Sequence, residues 1–304
     1  MVTSFLVLMM VLPANATEQP FCFFDLIPTN DGAALLASSH TGLKLTLIVE
    51  NADGVPLIGD PIDVQLGGIP PTRTVQSPLA GAVADPTLQL LGLAKTALLF
   101  NSKEKEILFL NTKTGDLDTT KNIRIVQPRL VSKVAPYDGG WLIWGNHFLG
   151  IGPGSCGKKA FHIFDTNFKA KGCFGTGMDP KESMLKGDLA TLTWSSTANT
   201  GYIFYPKSGL LFIHSPDGTS KQVATTRLRS LGEGRGRNIH RQKIGLLLME
   251  TGAGSVDLHL LDENDQWQTL ASWKGDWVRA LPLESHVLLV RSDGQIDLKS
   301  CSMD

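Results

Sequence analysis

Six basic residues, Arg227, Arg229, Arg235, Arg237, Arg241 and Lys243, crowd into seventeen residues around His240, with Glu233 as the one acid among them. Guanidinium groups recognise carboxylate, sulfate or phosphate through paired charge-assisted hydrogen bonds. The interleaved Gly232, Gly234 and Gly236 predict a flexible loop able to wrap an anionic glycan, a phosphate or an acidic partner. Arg235, Arg237, His240 and Arg241 are therefore candidate ligand-binding residues; a solvated loop screened by salt is the alternative. A second candidate pair is Trp144 and His147. Trp141 and Trp144 bracket an apolar pair in WLIW, and in a strand that spacing sends the two indoles to opposite faces. At most one of them then lines a pocket while the other packs in a core.

The remaining chemistry is sparser. Gly152 to Lys158 has the Gly-x4-Gly-Lys form of a phosphate-binding loop, but Lys159 stands where a magnesium-ligating hydroxyl belongs, and AFHIFD after it reads as a strand rather than a helix. A hairpin loop pinned by a disulfide fits better. His162, His214 and His259 each fall inside the second strand of a hairpin and are expected half-exposed rather than converging on a metal. Asp262, Asn264 and Asp265 lack the full calcium-loop pattern, and no Cys-x-x-Cys exists for zinc. No metal and no cofactor are expected. No Gly-x-Ser-x-Gly or His-Glu-x-x-His occurs; Asp138, Asp188 and Glu284 are carboxylates from which a glycosidase pair could be built, leaving the catalytic residues unknown.

These residues are carried by a recurring phrase: an apolar run, a polar turn, a second apolar run that ends on Asp or Asn, then a tight Gly turn. Its clearest copies are ALLF to ILFLN with TKTG, and YIFY, PKSG, LLFIHS with PDG. Each reads as a β-hairpin that cannot bury its apolar faces alone and must stack on the next, as around a closed ring. No segment sustains a helical period. Thirty-one glycines and only 19% charged residues suit a turn-rich all-β chain. A net charge of −1 gives no bulk attraction to nucleic acid or anionic membrane.

FLVLMMVL at residues 5–12, followed by Ala14-Asn15-Ala16, predicts a secretory signal peptide over 1–16 and a mature domain over 17–304. No later stretch approaches the ~18 apolar residues of a membrane span. A secreted or periplasmic location follows. Four cysteines in such a chain should pair, in one of three ways. Cys156 lies near Cys173, and in a ring the first and last strands meet, so Cys22 with Cys301 and Cys156 with Cys173 is the favoured arrangement.

The unit, ILFLNTKTGDL in particular, resembles those of β-propellers of the WD40, YVTN and quinoprotein-like superfamilies. The resemblance implies one propeller of four-stranded blades, closed where the N- and C-terminal strands meet. Six blades can be placed, at 22–67, 88–126, 130–175, 184–227, 239–273 and 277–301, with residues 17–23 supplying the missing outer strand of the last. GGIPPTRTVQSPLAGAVADP (67–86) is then either a long loop or a seventh blade. The longest irregular segments, 67–85, 147–159 and 227–243, all emerge on one face. The inner strands FFDLIP, LQLLGLA, LVSKVAP, LATLTW and WVRALP read as mostly apolar. That favours a monomeric or weakly associating binding or assembly module, engaging a protein, peptide or polysaccharide through the loop-rich face. The alternative is an exported hydrolase or lyase working on a carbohydrate or small metabolite near the axis.

Overall fold

The computed structural model describes residues 23–29, 32–38, 42–51, 53–77, 81–93, 96–101, 103–104, 106–124, 133–145, 156–167, 169–228, 236–252, 254–291 and 294–300. The recurring phrase becomes one blade of an antiparallel sheet. Blade 1 holds β1 (Phe23–Thr29), β2 (Gly32–Ser38) and β3 (Leu43–Glu50), with β4 (Pro56–Ile58) and β5 (Ile62–Asp63) sharing the edge of β3. A separate hairpin, β6 (Thr72–Ser77) and β7 (Gly81–Pro86), follows. Blade 2 is β8 (Leu88–Leu93), β9 (Ala97–Asn101), β10 (Glu106–Leu110) and β11 (Leu117–Arg124). Blade 3 is β12 (Lys133–Tyr137), β13 (Gly140–Trp144), β14 (Lys159–Phe164) and β15 (Ala170–Thr176), and a short helix α1 (Pro180–Lys186) leads on from it. Blade 4 is β16 (Thr191–Ser195), β17 (Thr200–Tyr205), β18 (Leu210–His214) and β19 (Ser220–Ala224). Blade 5 is β20 (Gly236–Gln242), β21 (Gly245–Gly252), β22 (Ser255–Leu261) and β23 (Trp267–Lys274). Blade 6 is β24 (Trp277–Pro282), β25 (His286–Arg291) and β26 (Ile296–Ser300).

First strands touch first strands from blade to blade, β1 on β8, β8 on β12, β16 on β20 and β24 on β1, so they form the inner wall of a closed ring. The chain is a six-bladed β-propeller. Each of its six interfaces holds its own apolar cluster. Ile27, Leu36 and Leu45 meet Leu90 and Leu99 between blades 1 and 2, and Leu35 and Ile48 meet Leu281 and Leu288 where blade 6 returns to blade 1. Phe161 and Phe174 stack with centroids 5.0 Å apart against Ile203 and Tyr205. A blade excised from the ring would leave both of these faces in water, which is why the hairpins fold only as a set.

The Asp or Asn that closes the phrase has a defined task. Asn51, Asn111, Asp165 and Asp262 end or follow the third strands of their blades, and each side chain accepts backbone N–H groups two or four residues on. Such Asx turns reverse the chain with no buried polar group left over. This includes Asp262, whose carboxylate serves Asn264, Gln266 and the Gln268 side chain.

Several expectations change. The segment 67–86 is neither loop nor blade: it carries the β6–β7 hairpin, whose second strand runs almost directly into the inner strand β8. Met184 lies in α1, and blade 4 begins at Thr191. Phe23 belongs to the inner strand β1, opposite Ser38, so it is not part of a closing outer strand. The signal peptide, Cys22 and Cys301 lie outside the described residues. Phe23 starts a first strand, whereas Ser300 ends a third strand beside His286, and those two ends lie on opposite faces of the ring. Cys156 and Cys173 are disulfide-bonded, as expected.

Candidate functional site

Strand direction sorts every connection onto one of two faces. First-to-second and third-to-fourth turns close one face, and they are short: Asp138-Gly139, Lys243-Ile244 and the Asx turns above. Second-to-third turns and the passages between blades emerge on the other. That face carries the β6–β7 hairpin, helix α1, and the joins from β13 to β14 and from β19 to β20. Leu185 of α1 is 89% exposed and Leu189, just beyond it, is also exposed. The expectation that the longest connections share a face is met by this topology, except that residues 236–242 are strand.

That exception reorganises the basic cluster. β20 is the inner strand of blade 5, so GRNIHRQ crosses the thickness of the ring rather than looping over it. Arg227 is exposed on the broad face, while Lys243 sits in a turn of the opposite face and pairs with Glu284. Strand alternation divides the rest. Arg237 and Arg241 lie on the side of Ile239, which packs toward blade 4. Arg237 there donates from Nε to Oε1 of Glu250, both side chains being nearly buried, and His259 Nε2 stands 3.6 Å from the other carboxylate oxygen. Burial pushes the Glu250 carboxyl up, but His259 and Arg237 outweigh it and hold it below its ordinary value. Arg241 donates from Nη1 to the Gln242 carbonyl at 2.5 Å. Arg235 lies outside the described residues.

His240 points the other way and joins a group that the sequence does not advertise. Leu90 donates its backbone N–H to Oδ2 of Asp25 at 3.1 Å, tying blade 2 to blade 1 at the inner wall. Gly92 lies so close to Val134 that an added Cβ would stand 2.2 Å from its carbonyl oxygen, which brings Lys133, the next residue back, level with this contact. Burial pushes the Lys133 ammonium down, Asp25 pushes it back up, and Arg279 of β24 pushes it down again. The His240 imidazole is driven down to about 3 by burial, with the Lys133 charge adding to it. Four inner strands, from blades 1, 3, 5 and 6, therefore bring Asp25, Lys133, His240 and Arg279 within electrostatic reach. Nε2 of His240 is shut off from solvent and has no hydrogen-bond partner.

The inner strands are mostly apolar, as the sequence reads, but three of them are not wholly so. FFDLIP, LVSKVAP and WVRALP each carry one charged residue among apolar ones, and that lone charge was the available signal. The other candidates fall away from the axis. Trp144 is 8% exposed and packs between blades 3 and 4, with Trp141 on the opposite face against blade 2, so core packing describes both. His147 lies outside the described residues. His162 is buried rather than half-exposed, with Nε2 2.9 Å from the Lys159 carbonyl. Asp188 is buried, accepting the backbone N–H groups of Lys207 and Ser208, while Asp138 and Glu284 sit in turns of the opposite face. These carboxylates form no pair. A cavity of about 480 Å³ opens at the rim between blades 3 and 4, lined by Lys159, Thr176, His214 and Lys221. Lys159 Nζ and His214 Nε2 already engage the hydroxyl and carbonyl of Thr176 at 2.7 and 2.9 Å. Among the described residues no cluster of three His, Cys, Asp or Glu is placed to hold a metal, and no helix is long and apolar enough to cross a membrane.

No protein-family model matches the sequence, and no curated protein matches it. Solved structures do resemble it. A member of the duf4221 family from Bacteroides vulgatus superposes with a TM-score of 0.53 at 8% identity, covering 93% of this chain and 95% of its own. BamB from Moraxella catarrhalis gives a TM-score of 0.43 at 14% identity, covering 90% and 83%. The periplasmic gluconolactonase of Pseudomonas aeruginosa gives 0.43 at 14%, covering 90% and 91%. At these identities the first likeness concerns the fold alone.

Proposed function

We propose that this chain is an exported binding or assembly module that engages a protein, peptide or polysaccharide through its broad face. The observation that carries the reading is the asymmetry of the ring. One face ends in tight Asx and Gly turns, whereas the other gathers a two-stranded hairpin, a helix with an almost fully exposed Leu185, and the long joins between blades. Long connections held by a rigid scaffold are where recognition concentrates, and a large apolar side chain standing in water on such a face suits a protein contact. Export is supported by the Cys156–Cys173 disulfide, since such bonds persist in oxidising compartments.

A second reading, an exported enzyme with its centre on the axis, draws on the charged residues Asp25, Lys133 and Arg279 and on His240, all carried by inner strands. Against it, the Asp25 carboxylate is already engaged by the Leu90 amide.

The test replaces Thr72–Pro86 by a short Gly-Ser link and compares the proteins that co-purify with wild type and variant from the native host. Loss of specific companions with an unchanged far-UV spectrum supports recognition by this face. An unchanged set of companions removes the hairpin from it.

A further inference from the structure

We propose that the cavity between blades 3 and 4 binds an acidic sugar, with Lys159 on its carboxylate and His214 on a ring hydroxyl. The cavity has a volume of about 480 Å³, a usual size for a small-ligand site, and no Asp or Glu is among the described residues that line it. Strand alternation decides which side chains enter it. Phe161 and Phe174 face blade 4, so Lys159 and Thr176, paired with each other and each two residues away, face it with them. On the other wall Phe212 faces blade 3, and so do His214 and the cross-strand partners Ser220 and Gln222. Ile213 and its partner Lys221 turn instead toward blade 5. The two walls meet at Thr176, whose hydroxyl accepts from Lys159 Nζ at 2.7 Å and whose carbonyl lies 2.9 Å from His214 Nε2.

A carbonyl only accepts, so Nε2 carries the hydrogen of that bond. Burial pushes the His214 imidazole down, the Thr176 carbonyl pushes it back up, and the Lys159 charge lowers it again, with a net lowering that keeps the ring neutral at pH 7. Nδ1 is then a lone-pair acceptor for a ligand hydroxyl. The Lys159 ammonium has three donors and spends one on Thr176. The Phe212 and His214 rings lie within 4° of parallel, with centroids 6.4 Å apart, and offer a flat surface to the C–H face of a sugar ring. These groups select a ligand that is both anionic and hydroxylated. A plain carboxylate leaves Nδ1 and the Gln222 amide unused, and a neutral sugar leaves the ammonium without its counter-charge.

The proposal is independent of what the broad face binds. Galacturonate, glucuronate, trigalacturonate, galactose and acetate are titrated at constant ionic strength into the full chain, with binding read by calorimetry and folding by thermal melting. At least one of the three acidic sugars should bind saturably, and galactose and acetate roughly tenfold or more weakly, the loss expected for one charge-assisted hydrogen bond. Trigalacturonate above galacturonate assigns the site to a residue of an acidic polysaccharide, and the reverse order to the free sugar. Lys159→Met and His214→Phe, which removes the acceptor and keeps the ring, should each weaken binding about tenfold. Ser220→Trp, at an exposed position that fills the cavity without touching the core, should abolish it. Lys221→Met, whose side chain leaves toward blade 5, should bind as wild type does. Three results would overturn the proposal: no acidic sugar binding, acetate or galactose binding as tightly as the acidic sugars, or Lys221→Met weakening binding as much as Lys159→Met. A folded Ser220→Trp protein that still binds would overturn it too.

Discussion

At the scale of single residues, the arginines of the GEGRGR stretch differ by environment rather than by type. Arg237 faces Glu250 across β20 and β21 in a nearly buried pair, and truncating it strands a carboxylate. Arg237→Ala should therefore lower stability by about 3 kcal/mol in denaturant unfolding. A change below ~0.5 kcal/mol, the usual effect of a solvated surface charge, would return it to the surface-loop description. His240 gives a pH signature. The folded state holds its imidazole near 3 against an ordinary 6.5, so the unfolded chain binds more protons between those values. Its contribution to stability is complete above about pH 6.5 and is lost as the pH falls toward 3. His240→Gln should flatten the stability profile across that window, and a profile as steep as that of wild type would contradict the assignment. Sequence spacing marked His240 as a candidate in a flexible loop, whereas the residue lies in the inner strand β20. The hydrophobic period of GRNIHRQ is too weak to announce a strand, because Ile239 is its one large apolar residue.

At the scale of elements, the hairpin phrase was legible because it has a local cause: apolar runs that pair, and an Asx residue that satisfies the turn. What sequence could not supply is which inner strands meet and at what height, since those contacts join residues tens to hundreds of positions apart. Gly92 illustrates this. Its shift in register within β8 and its contact with the Val134 carbonyl let the inner strands of blades 2 and 3 touch beside the charged group. Gly92→Ala must push them apart, and should destabilise by about 1 to 3 kcal/mol, as overpacking in a tight site does. An unaltered melting temperature would mean that the two strands are not in contact. The Cys156–Cys173 bridge ties the second-to-third connection of blade 3 to its outer strand, with a separation of 17 residues. Cys173→Ser should reduce stability by roughly 3 kcal/mol in the chain-entropy picture.

For the whole molecule, closure rests on packing of blade 6 against blade 1 through Leu35, Ile48, Leu281 and Leu288, with the Ser285 hydroxyl donating to the Gly54 carbonyl at 2.5 Å. Non-reducing peptide mapping should recover the Cys156–Cys173 pair, and either cysteine found free or in another pair would contradict the fold of blade 3. The central claim is that the ring works through one face, and photo-crosslinking from both faces of the full chain tests it most directly. A photoreactive amino acid is placed at Lys181, Leu185 or Leu189 on the broad face, and at Asp53, Lys113 or Asn264 in the tight turns opposite. Exposed in the native compartment, the first three should give discrete protein or glycan adducts and the last three none. Adducts of equal yield from the tight turns, or from those turns alone, would contradict it.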